Sequence, residues 1–271
     1  VLKLSEIWIY PVKSLGGIRL KTARVLEKGL QHDRRWMLVD REGKFLTQRV
    51  YPEMALFKLS INDHQLSVTH SKKQSVHTIS LQPHLGNEQH RVTIWDDVVS
   101  AFEVSADSSS WFSQMLGIPC KLVFFPEENE RKVDPRYATA DENVSLADGY
   151  PFLIIGEASL ADLNSKLQKP LPMNRFRPNF VFSGGNPYEE DRWKQFSIGS
   201  NRFIGVKPCS RCVLTTVDQE TAEKSDEPLR TLATYRKREN KIYFGQNVLA
   251  VDHTFVTEGD AIHLREVKRF E

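Results

Sequence analysis

The chain has 271 residues, 40% hydrophobic and 27% charged, with 37 Lys and Arg against 35 Asp and Glu. That length buries a substantial core in one large domain or two of ordinary size, and the near-balanced charge gives no sign of a nucleic-acid binder or an acidic solvating chain. Three cysteines argue against a disulfide framework and no apolar run approaches the roughly 20 residues that span a bilayer, so a cytoplasmic protein that crosses no membrane is expected.

The local patterns read mostly as short strands. IWIYPV (7–12), IRLKTARVL (18–26), RWMLVD (35–40) and FLTQRV (45–50) are β-branched or aromatic runs, with DREGK (40–44) as the turn between the last two. ALFKLSI, QLSVTH and HTISL continue the series, and RVTIWDDVVSAFEV reads as a hairpin about Asp96 and Asp97. Strands this close together predict a curled antiparallel sheet or barrel. His64, His70, His77, His84 and His90 fall in this polar strand-and-turn sequence and read as surface residues. DSSSWFSQMLG predicts a helix capped by Ser105 or Asp107, with Trp111, Phe112, Met115 and Leu116 on one face and Gly117 as its stop.

A polar stretch at 127–145 with the look of a mobile segment precedes the second half. PFLIIG then reads as a buried strand entering a helix, EASLADLNSKL, whose Leu160, Leu163 and Leu167 keep helical spacing. NFVFSGG is a strand ended by glycines, FSIGSNRFIGV a hairpin turning at Gly199 to Asn201, and EPLRTLATYRK a helix with its basic residues toward the C-terminal end. VLAVD and AIHLREV close the chain as strands. The expected fold class is a mixed, strand-rich α+β chain with a few helices, divided softly near residue 120 into units 1–120 and 121–271.

KPCSRCVLTTVD (207–218) holds Cys209 and Cys212 in a C-x-x-C pair. A structural zinc site needs four N or S ligands at compact spacing, whereas the third cysteine, Cys120, is isolated and His253 and His263 are widely spaced. A redox dithiol of the thioredoxin kind opens a helix, while VLTTV is β-branched and strand-like. Two small half-buried residues at a strand end would account for the sulfurs without chemistry. Against that, Arg211 between them favours a thiolate, a soft ligand suited to a transition metal. On the residues alone the inert pair, the dithiol and a single ligating thiolate all stay open.

VKPCSRCVLTTVD, RFRPNFVFSGG, DGYPFLIIGEASLADLN, IYPVKSLGG and HDRRWMLVD together resemble the MOSC proteins, nearest to the mitochondrial amidoxime reducing component and its bacterial relatives that carry a ferredoxin extension. The resemblance covers nearly the whole chain and implies an N-terminal MOSC-N β-barrel-like domain followed by a MOSC β-barrel domain. It implies molybdenum bound through a pyranopterin dithiolene (molybdopterin), a protein cysteine as a further metal ligand, and reduction of N-hydroxylated compounds such as amidoximes and hydroxylamines by oxygen-atom transfer.

Carried over by motif, the metal ligand and catalytic residue falls on Cys212, with Cys209 a bystander. Ser210 and Arg211 inherit contacts to the cofactor, and so do Lys13, Ser14, Arg34, Arg177 and Asn179. Arginine suits an anionic ligand because its planar fork pairs with phosphate. Gly245 and Gln246 of FGQN are further cofactor-binding candidates, Gly149 and Tyr150 mark a turn near the cofactor, and Arg35 is expected to be the exposed neighbour of Arg34. Because these positions come from both halves, the resemblance implies a site near the domain interface. The ferredoxin extension of the bacterial relatives has no counterpart in this sequence, so a separate or missing electron-donor protein, of ferredoxin or flavoprotein type, is expected. The rival implied by the same family is a non-catalytic module carrying the molybdenum cofactor or sulfur.

Overall fold

The computed structural model describes residues 1–268. In chain order the first half contributes β1 (Lys3–Ile9), β2 (Ile18–Leu20), β3 (Thr22–Leu26), β4 (Gly29–Leu30), β5 (Trp36–Val39), β6 (Phe57–Ile61), β7 (Gln65–His70), β8 (Ser75–Ser80), β9 (Gln89–Ile94), β10 (Asp97–Glu103), α1 (Ala106–Leu116) and β11 (Lys121–Phe124). The second contributes β12 (Phe152–Gly156), α2 (Glu157–Asn164), β13 (Phe180–Ser183), β14 (Trp193–Ile198), β15 (Asn201–Ser210), α3 (Leu229–Ala233), β16 (Lys237–Arg238), β17 (Lys241–Ala250), β18 (Phe255–Thr257) and β19 (Ile262–Val267). The chain is strand-rich α+β with curled sheets, as its short β-branched runs predict. No helix among the described residues is long and apolar enough to cross a membrane.

The largest sheet has nine strands, ordered β19-β14-β15-β17-β12-β13-β1-β2 with β16 beside β17. It curls until its ends approach: Ile262 N donates to Leu2 O (3.0 Å) and Leu4 N to Asp260 O (2.9 Å), tying the start of β19 to the start of β1. β12 and β13 run parallel, which requires a crossover that a hairpin cannot supply; α2 lies in that connection. Inside the curl pack Phe152, Phe180, Phe182, Trp193, Phe196 and Phe203, all essentially inaccessible, and each such ring contributes on the order of 2–3 kcal/mol of burial.

A four-stranded sheet, β5-β11-β10-β9, and a three-stranded one, β6-β7-β8, enclose a second core around Trp36, Phe57 and Phe112. α1 covers it. Its Ser105 cap accepts from Ser108 N (3.0 Å) and Gly117, at φ 72°, closes its C-terminus by donating to Ser113 O (2.8 Å). Sheet membership crosses residue 120 in both directions: β11 pairs with β5 and β10, whereas β1 and β2 join strands of the second half.

Several local expectations differ from the structure. FLTQRV makes only an isolated bridge at Phe45 before turning, because Gln48 is drawn inward to donate to Ser14 O (2.7 Å). The helix in EPLRTLATYRK is short, Leu229–Ala233, and leaves Arg236 and Lys237 outside it. His70 is buried rather than exposed, its Nδ1 accepting from Lys73 N and its ring set edge-on to Phe57. The 127–145 stretch is irregular but pinned: buried Arg131 donates to Ser145 O (2.8 Å) and Asp148 O (3.1 Å) and pairs with Asp97.

Candidate functional site

A cleft of about 1000 Å³ opens between the two halves. β15 delivers the C-x-x-C pair to it: the strand ends at Ser210, and Cys212 caps a single 3-10 turn, Val213–Thr216. VLTTV is therefore a turn and not a strand. The cause is local, since the Thr215 hydroxyl donates to Cys212 O (2.9 Å) and the Thr216 hydroxyl to Val213 O (2.8 Å), bonds that compete with an extended backbone. Both thiols are free and half-buried. Arg211 does not serve them equally: its Nη1 lies 3.0 Å from Cys209 Sγ and its Nη2 donates to Phe176 O at 2.6 Å. Both cysteines line the cleft, but Cys209 has a cationic partner and packs against the Phe176 and Phe244 cluster, whereas the Cys212 thiol has no side-chain partner among the described residues.

A second wall of the cleft, Lys13, Ser14, Arg34 and Arg177, is backed by Tyr10. Its ring carries the guanidinium of Arg34 at 4.5 Å and that of Arg177 at 4.2 Å. Its backbone N–H donates to Asp33 Oδ1 (2.7 Å), and Asp33 Oδ2 pairs with Arg34 Nη1 at 2.6 Å. Burial pushes the Tyr10 phenol above its usual range, against the pull of Arg177 and Arg34, so it remains a neutral donor, bonded to Pro178 O (3.2 Å). Arg177 donates to Leu15 O (2.7 Å). Burial lowers its pKa to about 10, which still leaves it charged at neutral pH. Ser14, Arg34 and Arg177 sit at φ 67°, 52° and 55°, left-handed backbone that is uncommon outside glycine and gathers at functional sites.

Lys13 is 5% exposed and donates to Leu146 O (2.8 Å) and Asp148 Oδ1 (2.6 Å). Burial lowers its pKa to about 8, Asp148 opposing. For Asp148 burial pushes upward, and the Lys13 ammonium and the Trp95 indole outweigh it, so the carboxyl titrates below its usual range. Its side chain is 65% exposed in the open cleft, where water screens the pair.

Of the sequence candidates, Cys212, Lys13, Ser14, Arg34, Arg177, Asn179, Ser210 and Arg211 line this one cleft, as do Gly149 and Tyr150. Asn179 has its polar atoms occupied: Oδ1 accepts from Arg34 Nη1 (3.2 Å) and Leu153 N (3.3 Å), and Nδ2 donates to Trp8 O (3.1 Å). Gly245 and Gln246 stand apart from the lining. Gly245 packs against Ile155, with φ 83°, and Gln246 is fully buried with Nε2 toward Trp193 O (3.2 Å); Tyr243 and Asn247 reach the cleft instead. Arg35 is 1% exposed, donating to Asp33 O (2.6 Å) and pairing with Glu127. The left-handed backbone at Arg34 breaks the strand alternation that would have turned Arg35 outward.

The residues that the sequence did not single out are Tyr10, Asp33, Asp148, Arg131 and Lys207. Tyr10 and Asp33 flank recognised motifs, but only the fold brings them together. The cleft is strongly cationic: Lys13, Arg34, Arg49, Arg131, Lys132, Arg177, Lys207, Arg211 and Lys241 line it, against Asp96, Asp97, Asp134 and Asp148. Such a surface concentrates anions. Arg211 Nε is also buried without a hydrogen-bond partner, an arrangement that a bound acceptor would complete. No cluster of three or more His, Cys, Asp or Glu suited to a metal ion occurs among the described residues.

The chain is similar to known proteins along nearly its whole length. The family described as MOSC N-terminal beta barrel domain matches residues 1–119, and the family described as MOSC domain matches residues 141–263. Mitochondrial amidoxime-reducing component 1 of Homo sapiens is 33% identical over 280 residues, covering 96% of this chain and 82% of that protein. Mitochondrial amidoxime reducing component 2 of Bos taurus is 31% identical over 86% of this chain and 72% of that protein. Molybdenum cofactor sulfurase of Arabidopsis thaliana is 34% identical over 89% of this chain, which spans only 32% of that longer protein.

Proposed function

The chain belongs to the MOSC family, and from that premise we propose that it is a molybdenum-cofactor-dependent oxidoreductase reducing N-hydroxylated compounds, hydroxylamines and amidoximes, to amines and amidines. The observation that carries the reading is the convergence in one cleft of the Cys212 thiol and cationic side chains drawn from both halves of the chain. The donor set suits an anionic pyranopterin dithiolene with a terminal phosphate: guanidinium forks, an ammonium and an unpartnered buried N–H on Arg211.

In this reading Cys212 Sγ is the metal ligand and the catalytic residue. Lys13, Ser14, Arg34, Arg177, Ser210 and Arg211 hold the anionic part of the cofactor, and Asn179 acts one step back by fixing Arg34. Gly245 and Gln246 have no direct part. When bound, the cofactor supplies two-electron oxygen-atom transfer, by which two electrons and two protons convert N–OH to N–H and water. The chain's own contribution is orientation and charge. Tyr10 seats the two guanidiniums on one ring, and Lys13 Nζ holds a proton that is half lost near pH 8. Cys209, committed to Arg211 and the Phe176 cluster, shapes the loop.

The electrons come from a separate protein of ferredoxin or flavoprotein type, and the free thiols suit a reducing, cytoplasmic compartment. The division into 1–120 and 121–271 is part of the same proposal, with β1 and β2 completing the second unit's sheet. The test is anaerobic reduction of benzamidoxime by reduced methyl viologen, a small donor that bypasses the partner, using protein from a cofactor-competent host. Formation of benzamidine in proportion to molybdenum content supports the reading; molybdenum-loaded protein that leaves benzamidoxime unchanged contradicts it. The similarity to the plant sulfurase, 34% identical, favours one second reading, a non-catalytic carrier of the cofactor or its sulfur, which would bind molybdenum and fail that assay.

A further inference from the structure

We propose that Lys207, seated on the rings of Tyr137 and Tyr150, forms a subsite for the anionic end of a planar N-hydroxylated substrate, a carboxylate borne on an aryl ring; this rests on the functional reading above. Lys207 Nζ lies 3.9 Å from the Tyr137 ring centre and 5.0 Å from that of Tyr150. The two rings meet edge to face at 6.3 Å. All three residues line the cleft that holds Cys212.

What separates Lys207 from Lys13 and Lys132 is its lack of a partner, and what separates it from Lys241, which is exposed and lies over no ring among the described residues, is its seat on two tyrosines. Lys13 is bonded to Asp148 and Lys132 to Asp141, whereas Lys207 Nζ makes no hydrogen bond or ion pair among the described residues. Asp134 is the acidic group that acts on it, and both oxygens of that carboxylate are already clasped by Arg136 (2.6–3.2 Å). An ammonium held over aromatic faces is fixed in place by cation–π attraction while its N–H donors stay free for an acceptor. The tyrosine rings add flat apolar walls against which an aryl ring stacks.

The position fits the proposed chemistry. Lys207 precedes Cys212 by five residues, which in extended chain cover at most about 17 Å; a lysine side chain and a substituted aryl ring bridge that span together. The Tyr10 wall carries a separate cationic group, Lys13, Arg34 and Arg177, so an anionic cofactor and an anionic substrate each have their own positive charge. The alternative source of the same anion is the cofactor's phosphate, and the two are separable.

The probes are benzamidoxime and 4-carboxybenzamidoxime, reduced with methyl viologen by the parent, Lys207→Gln and Lys207→Arg, with molybdenum measured on each preparation. Binding of 4-amidinobenzoate, the product of the carboxylated substrate, is measured in parallel by calorimetry. The parent is expected to favour the carboxylated compound in kcat/KM. Lys207→Gln is expected to lower that preference about tenfold, mainly through KM, to weaken 4-amidinobenzoate to a similar degree, and to retain molybdenum; Lys207→Arg restores the preference. An unchanged preference in Lys207→Gln overturns the proposal. So does a loss of molybdenum with both substrates falling together, which would assign Lys207 to the cofactor. If the loaded parent reduces neither compound, the functional reading fails, and the calorimetric arm still decides the subsite: equal binding of 4-amidinobenzoate by parent and Lys207→Gln rejects it.

Discussion

The two walls of the cleft handle positive charge in opposite ways. On the Tyr10 wall each cation is braced from within: Arg34 by Asp33, Tyr10 and Asn179, Arg177 by Tyr10 and the Leu15 carbonyl, Lys13 by Asp148 and the Leu146 carbonyl. On the β15 wall, Lys207 rests on rings alone, Arg211 keeps a buried N–H without a partner, and Lys241 is exposed. Braced charges hold shape and present a fixed field before any ligand arrives. Lys207 and the Nε of Arg211, whose two other nitrogens are bonded, leave donors free for a ligand.

The largest effect on stability is expected from Asp33→Ala. It strands the Tyr10 N–H and leaves Arg34, whose side chain is 13% exposed, without its carboxylate; a loss of about 3 kcal/mol is expected in urea unfolding. A loss below 1 kcal/mol would show that the Tyr10 wall is not braced by this pair. Arg211→Gln is expected to do the reverse, costing about 1 kcal/mol of stability while molybdenum content falls several-fold. Equal losses of stability in the two variants would erase the contrast between the walls.

A smaller effect follows from Lys13. Its folded-state pKa of about 8 lies below the ordinary 10.5, so between those values the unfolded chain holds the extra proton and this group's contribution to stability rises with pH. The cleft's anion affinity moves oppositely. Sulfate, whose charge is constant in this range, is expected to bind about three- to fivefold more weakly at pH 9 than at pH 7, with a flatter profile in Lys13→Arg. A parent profile already flat would mean that Lys13 does not titrate there.

Elements whose causes lie close in sequence were legible: α1 with its serine cap and glycine stop, the β9–β10 hairpin about Asp96, and the β14–β15 turn at Gly199. The misreadings come from bonds and dihedrals that composition does not display. Threonine hydroxyls fold VLTTV back into a turn, Gln48 pulls FLTQRV inward, and the positive φ of Arg34 reverses the facing of Arg35. At the site, the family resemblance pointed to the cationic residues and the cysteines that line the cleft. It could not mark Tyr10 as their shared platform or Lys207 as an unpaired ammonium, because those properties arise from residues far apart in the chain.

Molybdenum analysis of parent, Cys212→Ser and Cys209→Ser protein, purified from one cofactor-competent host, is the most direct test of the asymmetric pair. Near-stoichiometric metal in the parent, almost none in Cys212→Ser and little change in Cys209→Ser is the predicted result. Folded Cys212→Ser protein that keeps its molybdenum, or a parent that contains none, would contradict it.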